Sequence, residues 1–312
     1  MELEKIPTVP TADEILDRSF RRAAAKRREK INKDRANEEF VRSVASSVHD
    51  RLGSVVRAFP SFDQLPLFYR DLADILFSVD RLKKSLGAVM WAAEQARTVG
   101  YQHARSMRHS ADTPAVRKQA VARISSIVHQ VDGDLRFLND ARNVLRKLPE
   151  VKEDEFTVVV GGYPNVGKSS FIRLVSTAEP EVASYPFTTR GIIVGHRAVE
   201  RERMQFIDTP GVLERPAAER NPIERQAVSA LINVADAVLF ILDASEECGY
   251  ALEAQLRLLD EVRQMVDVPV VPVVNKADIR SIEGYPAMST KTGEGIEEVL
   301  AALLRYKTPP SR

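Results

Sequence analysis

Apolar positions recur every three or four residues through the first half of the chain. In the second half they condense into short continuous runs. The first pattern is the stripe of amphipathic helices and the second that of buried strands. It predicts helices over Asp13–Ala58, Leu67–Ser78, Val79–Ser110 and Thr113–Leu148, with Thr113-Pro114 as the cap and first turn of the last. In that last segment Val116, Val121, Ile124, Val128, Val131, Leu135, Leu138 and Leu145 mark the stripe. Such helices bury their stripes against one another, so an antiparallel bundle is expected. Met90, Trp91 and Tyr101 read as packing residues within it.

The runs Phe156–Gly161, Gly191–His196, Met204–Ile207, Val238–Leu242 and Val268–Val274 read as strands. A polar turn at Glu200–Arg203 joins the second to the third, and Gly295 opens a last helix. The short, charged stretch Pro149–Glu155 carries no Gly/Ser linker. It separates a first domain, residues 1–150, from a second, residues 151–312.

Charge sharpens this division. The net charge of +1 over 312 residues conceals about +7 in residues 1–150 (27 Lys/Arg, 20 Asp/Glu) and about −6 in residues 151–312 (18 and 24). Nine basic residues fall between Arg18 and Arg35, opposed only by Glu29 and Asp34. Arg21, Arg22, Lys26, Arg27, Arg28, Lys30, Lys33 and Arg35 are candidate contacts to RNA phosphates. A plain solvated helix face and an acidic protein partner stay open as readings. No recognition-helix or zinc-finger spacing points to DNA. Cys248 is the single cysteine, so an intrachain disulfide framework is excluded and a packing role is expected. The start has no apolar signal core, and no run reaches the length of a spanning helix. A cytoplasmic monomer without membrane attachment is the expectation, although Ile15, Leu16 and Phe20 leave an apolar edge on the basic helix.

The candidate chemistry lies at the ends of the strand runs. Gly162-Tyr-Pro-Asn165-Val166-Gly167-Lys168-Ser169-Ser170 follows the first strand and leads into a predicted helix. This is the loop whose backbone N–H groups and helix N-terminus cradle phosphates. Lys168 should bridge β- and γ-phosphates, and the Ser169 hydroxyl should ligate Mg²⁺. Tyr185-Pro-Phe-Thr188-Thr189-Arg190 supplies a threonine for Mg²⁺ and the γ-phosphate, Thr189 before Thr188. Asp208-Thr-Pro-Gly211 offers a carboxylate for Mg²⁺ and a Gly211 N–H for the γ-phosphate. Val212 follows, where an apolar side chain cannot polarise water. Slow intrinsic GTP hydrolysis is therefore expected, or hydrolysis aided from elsewhere; Asn165 is the candidate for holding K⁺. Asn275-Lys276-Ala-Asp278 and Met288-Ser289-Thr290-Lys291 form the base-reading pair. A carboxylate at Asp278 accepts from guanine N1–H and the 2-amino group, whereas adenine presents the wrong pattern. Lys276 lies over the ring, Asn275 ties this loop to the phosphate loop, and the Thr290 N–H reaches guanine O6. His196 reads as structural. The fold class is an α/β P-loop GTPase domain, with a mostly parallel sheet flanked by helices, behind an all-α antiparallel helical bundle.

These motifs resemble the Obg/HflX-like branch of the translation-factor-related GTPases, through Tyr185–Thr189 and Val212. Within it the chain is similar to the nucleolar GTP-binding protein family, NOG1, in a short archaeal-like form. Asn221-Pro-Ile-Glu-Arg-Gln-Ala and Leu242-Asp-Ala-Ser-Glu-Glu-Cys-Gly-Tyr with Gln255 look like that family's signatures. The resemblance implies GTP/GDP and Mg²⁺ as cofactors and a role in large ribosomal subunit assembly. It implies contact with ribosomal RNA and the large-subunit precursor; protein assembly factors are further candidate partners, and a regulatory GTPase binding a protein client stays open as an alternative. The implied nucleotide residues are Asn165, Lys168, Ser169, Thr189, Asp208, Gly211, Asn275, Lys276 and Asp278. Two departures stand out. The chain ends at Arg312, before the long C-terminal extension of eukaryotic members, and Ser-Thr-Lys replaces the usual Ser-Ala-Lys.

Overall fold

The computed structural model describes residues 3–28, 33–152, 154–183, 191–199, 202–208, 213–214, 226 and 229–307. The chain divides into two compact units. One comprises Met1–Leu65 and Phe77–Arg146; the other comprises Pro66–Leu76 and Lys147–Arg312.

The first unit is helical. It contains α1 (Ala12–Arg28), α2 (Lys33–Ala58), α4 (Val79–Ser106), α5 (Thr113–Gln130) and α6 (Asp132–Leu145). α2 packs against α1, α4 and α5. Small residues carry the closest approach. The buried face of α4 passes from Val79, Leu82, Ser85 and Val89 to the small residues Ala92, Ala93, Ala96, Gly100 and Ala104. A Cβ built on Gly100 would lie 2.3 Å from the Ala45 Cβ of α2 and 3.3 Å from Ile124 of α5. Gly100→Ala is therefore expected to destabilise the protein by about 1–3 kcal/mol through overpacking, read as a lower midpoint in denaturant melts.

Five expectations for this unit are corrected. The 13–58 segment is not one helix, since α1 ends at Arg28 and α2 begins at Lys33. The 79–110 segment is α-helical only to Ser106 and closes in a 3₁₀ turn, Met107–His109. The 113–148 segment breaks at Val131 (φ −106°, ψ 11°), where Asp132 accepts from the Ala12 N–H at 2.8 Å and pairs with Arg136 at 2.7 Å. The cap of α5 is Asp112, accepting from Ala115 N at 3.0 Å. Thr113 instead donates to Asp34 at 2.7 Å and accepts from Asn37 at 3.0 Å. Met90, Trp91 and Tyr101 are not packing residues: they are 37%, 49% and 40% exposed. The stripe of small residues carries the helix packing, so these larger side chains fall off the buried face. Arg42 lies over the Tyr101 ring at 5.1 Å.

The second unit takes in α3 (Leu67–Phe77) up to Leu76. The Tyr69 hydroxyl joins this helix to the entry of the sheet, donating to Pro149 O at 2.9 Å and accepting from Val151 N at 2.7 Å. The sheet order is β2-β3-β4-β1-β5-β6. Its strands are β1 (Phe156–Gly161), β2 (Glu181–Ala183), β3 (Ile192–Val199), β4 (Glu202–Asp208), β5 (Ala237–Asp243) and β6 (Val270–Asn275). β1 pairs in parallel with β4 and β5, and β5 with β6, while β2/β3 and β3/β4 are antiparallel. Every residue of β1 and β5 is buried, as covered parallel strands require. α7 (Lys168–Val175), α8 (Leu252–Met265) and α9 (Ile296–Leu304) complete this unit's principal described helices. No helix among the described residues is long and apolar enough to cross a membrane.

Candidate guanine-nucleotide site

The parallel strands β4, β1, β5 and β6 share a direction, so their carboxyl ends lie along one edge of the sheet. Doubly wound sheets bind ligands there. Register aligns the chemistry: Val160 of β1 pairs with Asp208 of β4, and Asp243 of β5 pairs with Asn275 of β6. The motifs at 162–170, 208 and 275–278 therefore converge because each ends a neighbouring strand.

Two glycines shape the phosphate loop. Gly162 has φ +130°, and a Cβ there would meet Ile241 O at 2.4 Å. Gly167 has φ +106°, and its Cβ would meet Asn275 Nδ2 at 2.1 Å. Both conformations favour glycine, and both approaches exclude a side chain. Val166 is buried, whereas Asn165 is exposed at φ +64° and Ser170 is exposed on the first turn of α7. Lys168 is 5% exposed. Its ammonium donates to Gly162 O at 3.0 Å and Tyr163 O at 2.9 Å, and pairs with Glu214 at 2.7 Å. Leu213 O accepts from Gly162 N at 3.2 Å. Glu214 had no role in the sequence reading, because its distance in sequence from the phosphate loop hid this contact.

Glu214 thus sits on the ammonium expected to meet the phosphates. Glu214→Gln weakens a charged pair to a neutral one, a difference of about 1 kcal/mol. The expected result is about fivefold tighter GTP binding by isothermal calorimetry. Weaker binding would mean instead that Glu214 supports the phosphate site.

Ser169 Oγ lies 2.5 Å from Asp208 Oδ2. A hydroxyl and a buried carboxylate facing one another are hard oxygen donors, so this pair fits Mg²⁺. Thr188, Thr189, Gly211 and Val212 lie outside the described residues, as do the Tyr185–Arg190 and Arg220–Arg225 segments.

The base-reading loops are tied to the phosphate loop. Asn275 Nδ2 donates to Val166 O at 2.8 Å and to Thr290 Oγ1 at 3.1 Å. The Asp278 carboxylate accepts from Ser289 Oγ at 2.7 Å, and Lys291 Nζ stands 3.9 Å from it. The Thr290 N–H, expected to reach guanine O6, donates here to Asn275 Oδ1 at 2.9 Å. The 1% exposed Asn275 amide requires partners inside the fold. Lys276 pairs with Asp243 at 2.6 Å. Burial raises the Asp243 pKa, but donors from Lys276, Ser245 and the Cys248 N–H outweigh it and hold the carboxyl below its ordinary value. Burial also lowers the Lys276 pKa, yet the hydrogen bond and charge of Asp243 carry it above the ordinary value. Burial pushes the Cys248 thiol up, as a packing cysteine requires. His196 Nδ1, on β3, meets the buried Glu155 carboxylate at 2.7 Å.

Comparison with known proteins adds to this geometry. The family model of the NOG1 N-terminal helical domain matches residues 3–152, and that of nucleolar GTP-binding protein 1 (NOG1) matches residues 222–278. The chain belongs to the NOG1 family. The second match spans the Asp243 loop and the base-reading motif. An uncharacterised Methanocaldococcus jannaschii protein, MJ1408, is 42% identical over 88% of this chain and 81% of its own length. Nucleolar GTP-binding protein 1 of Drosophila melanogaster is 33% identical over 91% of this chain and 45% of its own. The chain thus spans about half the length of the nucleolar GTP-binding proteins it matches. The G domain of the T. maritima FeoB iron transporter is 26% identical, with a TM-score of 0.41 over 49% of this chain and 98% of that one.

In the helical unit, Arg21, Arg22 and Arg27 are exposed on α1 and Arg35 on α2. Lys30 and the side chains of Lys26, Arg28 and Lys33 lie outside the described residues. Ile15 and Leu16 are buried, so they belong to the packed face of α1.

Proposed function

We propose that this chain is a GTPase acting as a nucleotide-gated factor in large ribosomal subunit assembly. The observation that carries guanine binding is the tie of Asn275 to Val166, which holds a base-reading carboxylate at Asp278 beside the phosphate loop. The ribosomal role rests on membership of a family whose relatives are named nucleolar GTP-binding proteins. The exposed arginines of α1 and α2 supply a fitting RNA-facing charge.

In this reading Gly162–Ser170 hold the phosphates, Lys168 spreads the charge between them, and Ser169 and Asp208 hold Mg²⁺. Bound there, Mg²⁺ neutralises charge on the phosphate oxygens. Lys168 exchanges Glu214 for phosphate as nucleotide enters. Water would attack the γ-phosphorus in line as the bond to the β-phosphate oxygen breaks, releasing GDP and phosphate, with Thr189 and Gly211 assigned by their motifs to the γ-phosphate. Val212 favours a second reading, a GTP-gated structural factor with negligible hydrolysis. Turnover in K⁺ against Na⁺, with and without ribosomal subunits, separates the two and tests Asn165 as a K⁺ ligand.

The deciding experiment is binding to purified large subunits and their precursors, with GDP and with a non-hydrolysable GTP analogue. Stronger association with the analogue, weakening steeply with salt and with charge removal at Arg21–Arg35, is the expected result. No association at low or physiological salt would overturn the ribosomal reading.

A further inference from the structure

We propose that Asp243 is a positioning residue for base recognition, acting through Lys276. The inference rests on the guanine-binding reading of the site and assigns a role to the loop between β5 and α8, Ala244–Ala251.

Asp243 ends β5 in register with Asn275, the last residue of β6. The next residue after Asn275 therefore emerges beside the Asp243 carboxylate. That carboxylate is fully buried, and a buried charge persists only when paired and hydrogen-bonded. Four donors meet it. Oδ1 accepts from Ser245 N at 2.9 Å and Ser245 Oγ at 2.5 Å. Oδ2 accepts from Cys248 N at 2.9 Å and Lys276 Nζ at 2.6 Å. Three of these donors shape the loop; the fourth reaches out of it to the base-reading motif.

Lys276 is unusual in its backbone as well. Its φ is +59°, a left-handed conformation that a non-glycine residue keeps only where its surroundings enforce it. Its stem is long and flexible, and a lysine left to solvent samples many rotamers. The bond to Asp243, supported by Glu247 at 3.6 Å, selects one direction for that stem. Asp278 lies two residues further on, so fixing Lys276 also fixes the course of the chain that presents the base-reading carboxylate.

The loop itself is held rigid. Gln255 of α8 is 1% exposed. It accepts from Asp243 N at 2.8 Å and donates to Asp243 O at 3.0 Å and Tyr250 O at 2.9 Å, clasping both ends. The Tyr250 ring lies 4.3 Å from the Tyr163 ring of the phosphate loop. One short segment thus touches the phosphate loop through Tyr250 and the base-reading loop through Asp243. It acts as a spacer between the two ends of a bound nucleotide.

The test is a double-mutant cycle in the full chain, Asp243→Asn and Lys276→Met, read as GDP and IDP affinities. IDP lacks the 2-amino group, so the GDP/IDP ratio reports alignment of Asp278 with the base edge. Asp243→Asn is expected to weaken GDP about tenfold and to shrink the ratio several-fold, with little further loss in the Lys276→Met background. Melting temperatures run alongside. Lower melting with an unchanged ratio and additive effects would mean a purely structural carboxylate and would overturn the proposal. Should Asp243→Asn fail to fold, Lys276→Met alone must shrink the ratio; an intact ratio there overturns the proposal equally. A wild-type chain with no preference for GDP over ADP would bring down the guanine reading itself, and this inference with it. GDP preference with an additive cycle removes only the inference.

Discussion

Asp278→Asn should lower affinity for GTP and GDP by about 100- to 1,000-fold and raise affinity for xanthine nucleotides. In the proposed reading the carboxylate accepts two hydrogen bonds from guanine, at N1–H and the 2-amino group. Charge-assisted bonds of this kind contribute about 1.5–3 kcal/mol each, so losing their match costs roughly 3–4 kcal/mol. An amide presents one donor and one acceptor, which mismatches the guanine 2-amino group but meets the 2-oxo group of xanthine. The side chain is already aimed, with Oδ1 held by Ser289 Oγ at 2.7 Å. That bond survives the substitution in geometry, so the protein should melt close to wild type. Calorimetry with GDP and XDP checks the outcome. Unchanged GDP affinity would show that Asp278 does not read the base.

Lys168→Met is expected to weaken GTP binding by about 100-fold and to reduce turnover by a further 100- to 1,000-fold. The ammonium is the one described cation set among the phosphate-loop carbonyls, at 3.0 Å from Gly162 O and 2.9 Å from Tyr163 O. Methionine keeps the apolar stem and removes the charge. The change also takes the ammonium from Glu214, whose side chain is 18% exposed. Some loss of stability follows, smaller than for a fully buried pair because water reaches the carboxylate. Lys168→Met/Glu214→Gln should recover that stability without recovering nucleotide binding. Recovery of both in the double variant would mean that the lysine serves the fold and not the phosphates. Single-turnover hydrolysis and melting curves, run together, distinguish these outcomes.

Five of the six strands were legible because their apolar runs are local, whereas the short edge strand β2, Glu181–Ala183, carries no such run. Val158–Gly161 and Ala237–Leu242 are continuous apolar runs, as strands covered on both faces carry. The phosphate loop declares itself through the spacing of its glycines, each required by a backbone angle and a close neighbour. The helical unit was legible as helices but not as these helices. Nothing in the apolar stripe of residues 113–148 marks the break at Val131, which the Ala12 N–H on Asp132 helps to fix from a distant part of the chain. The exposure of Trp91 and Tyr101 was hidden for a related reason: periodicity marks apolar residues, while Ala and Gly carried the packing.

The sequence by itself determined the order of the two regions, helical first and strand-bearing second, and the family. These depend on residue type and short-range spacing, which the chain carries without being folded. Tertiary structure alone decided which partners the charged site residues take. Glu214 reaches Lys168 across 46 positions and Asp243 reaches Lys276 across 33. Strand pairing set those meetings, by placing β5 beside β6 in register and β4 beside β1. Burial then made them obligatory, since an ammonium or carboxylate taken from water must find its counter-charge inside the fold.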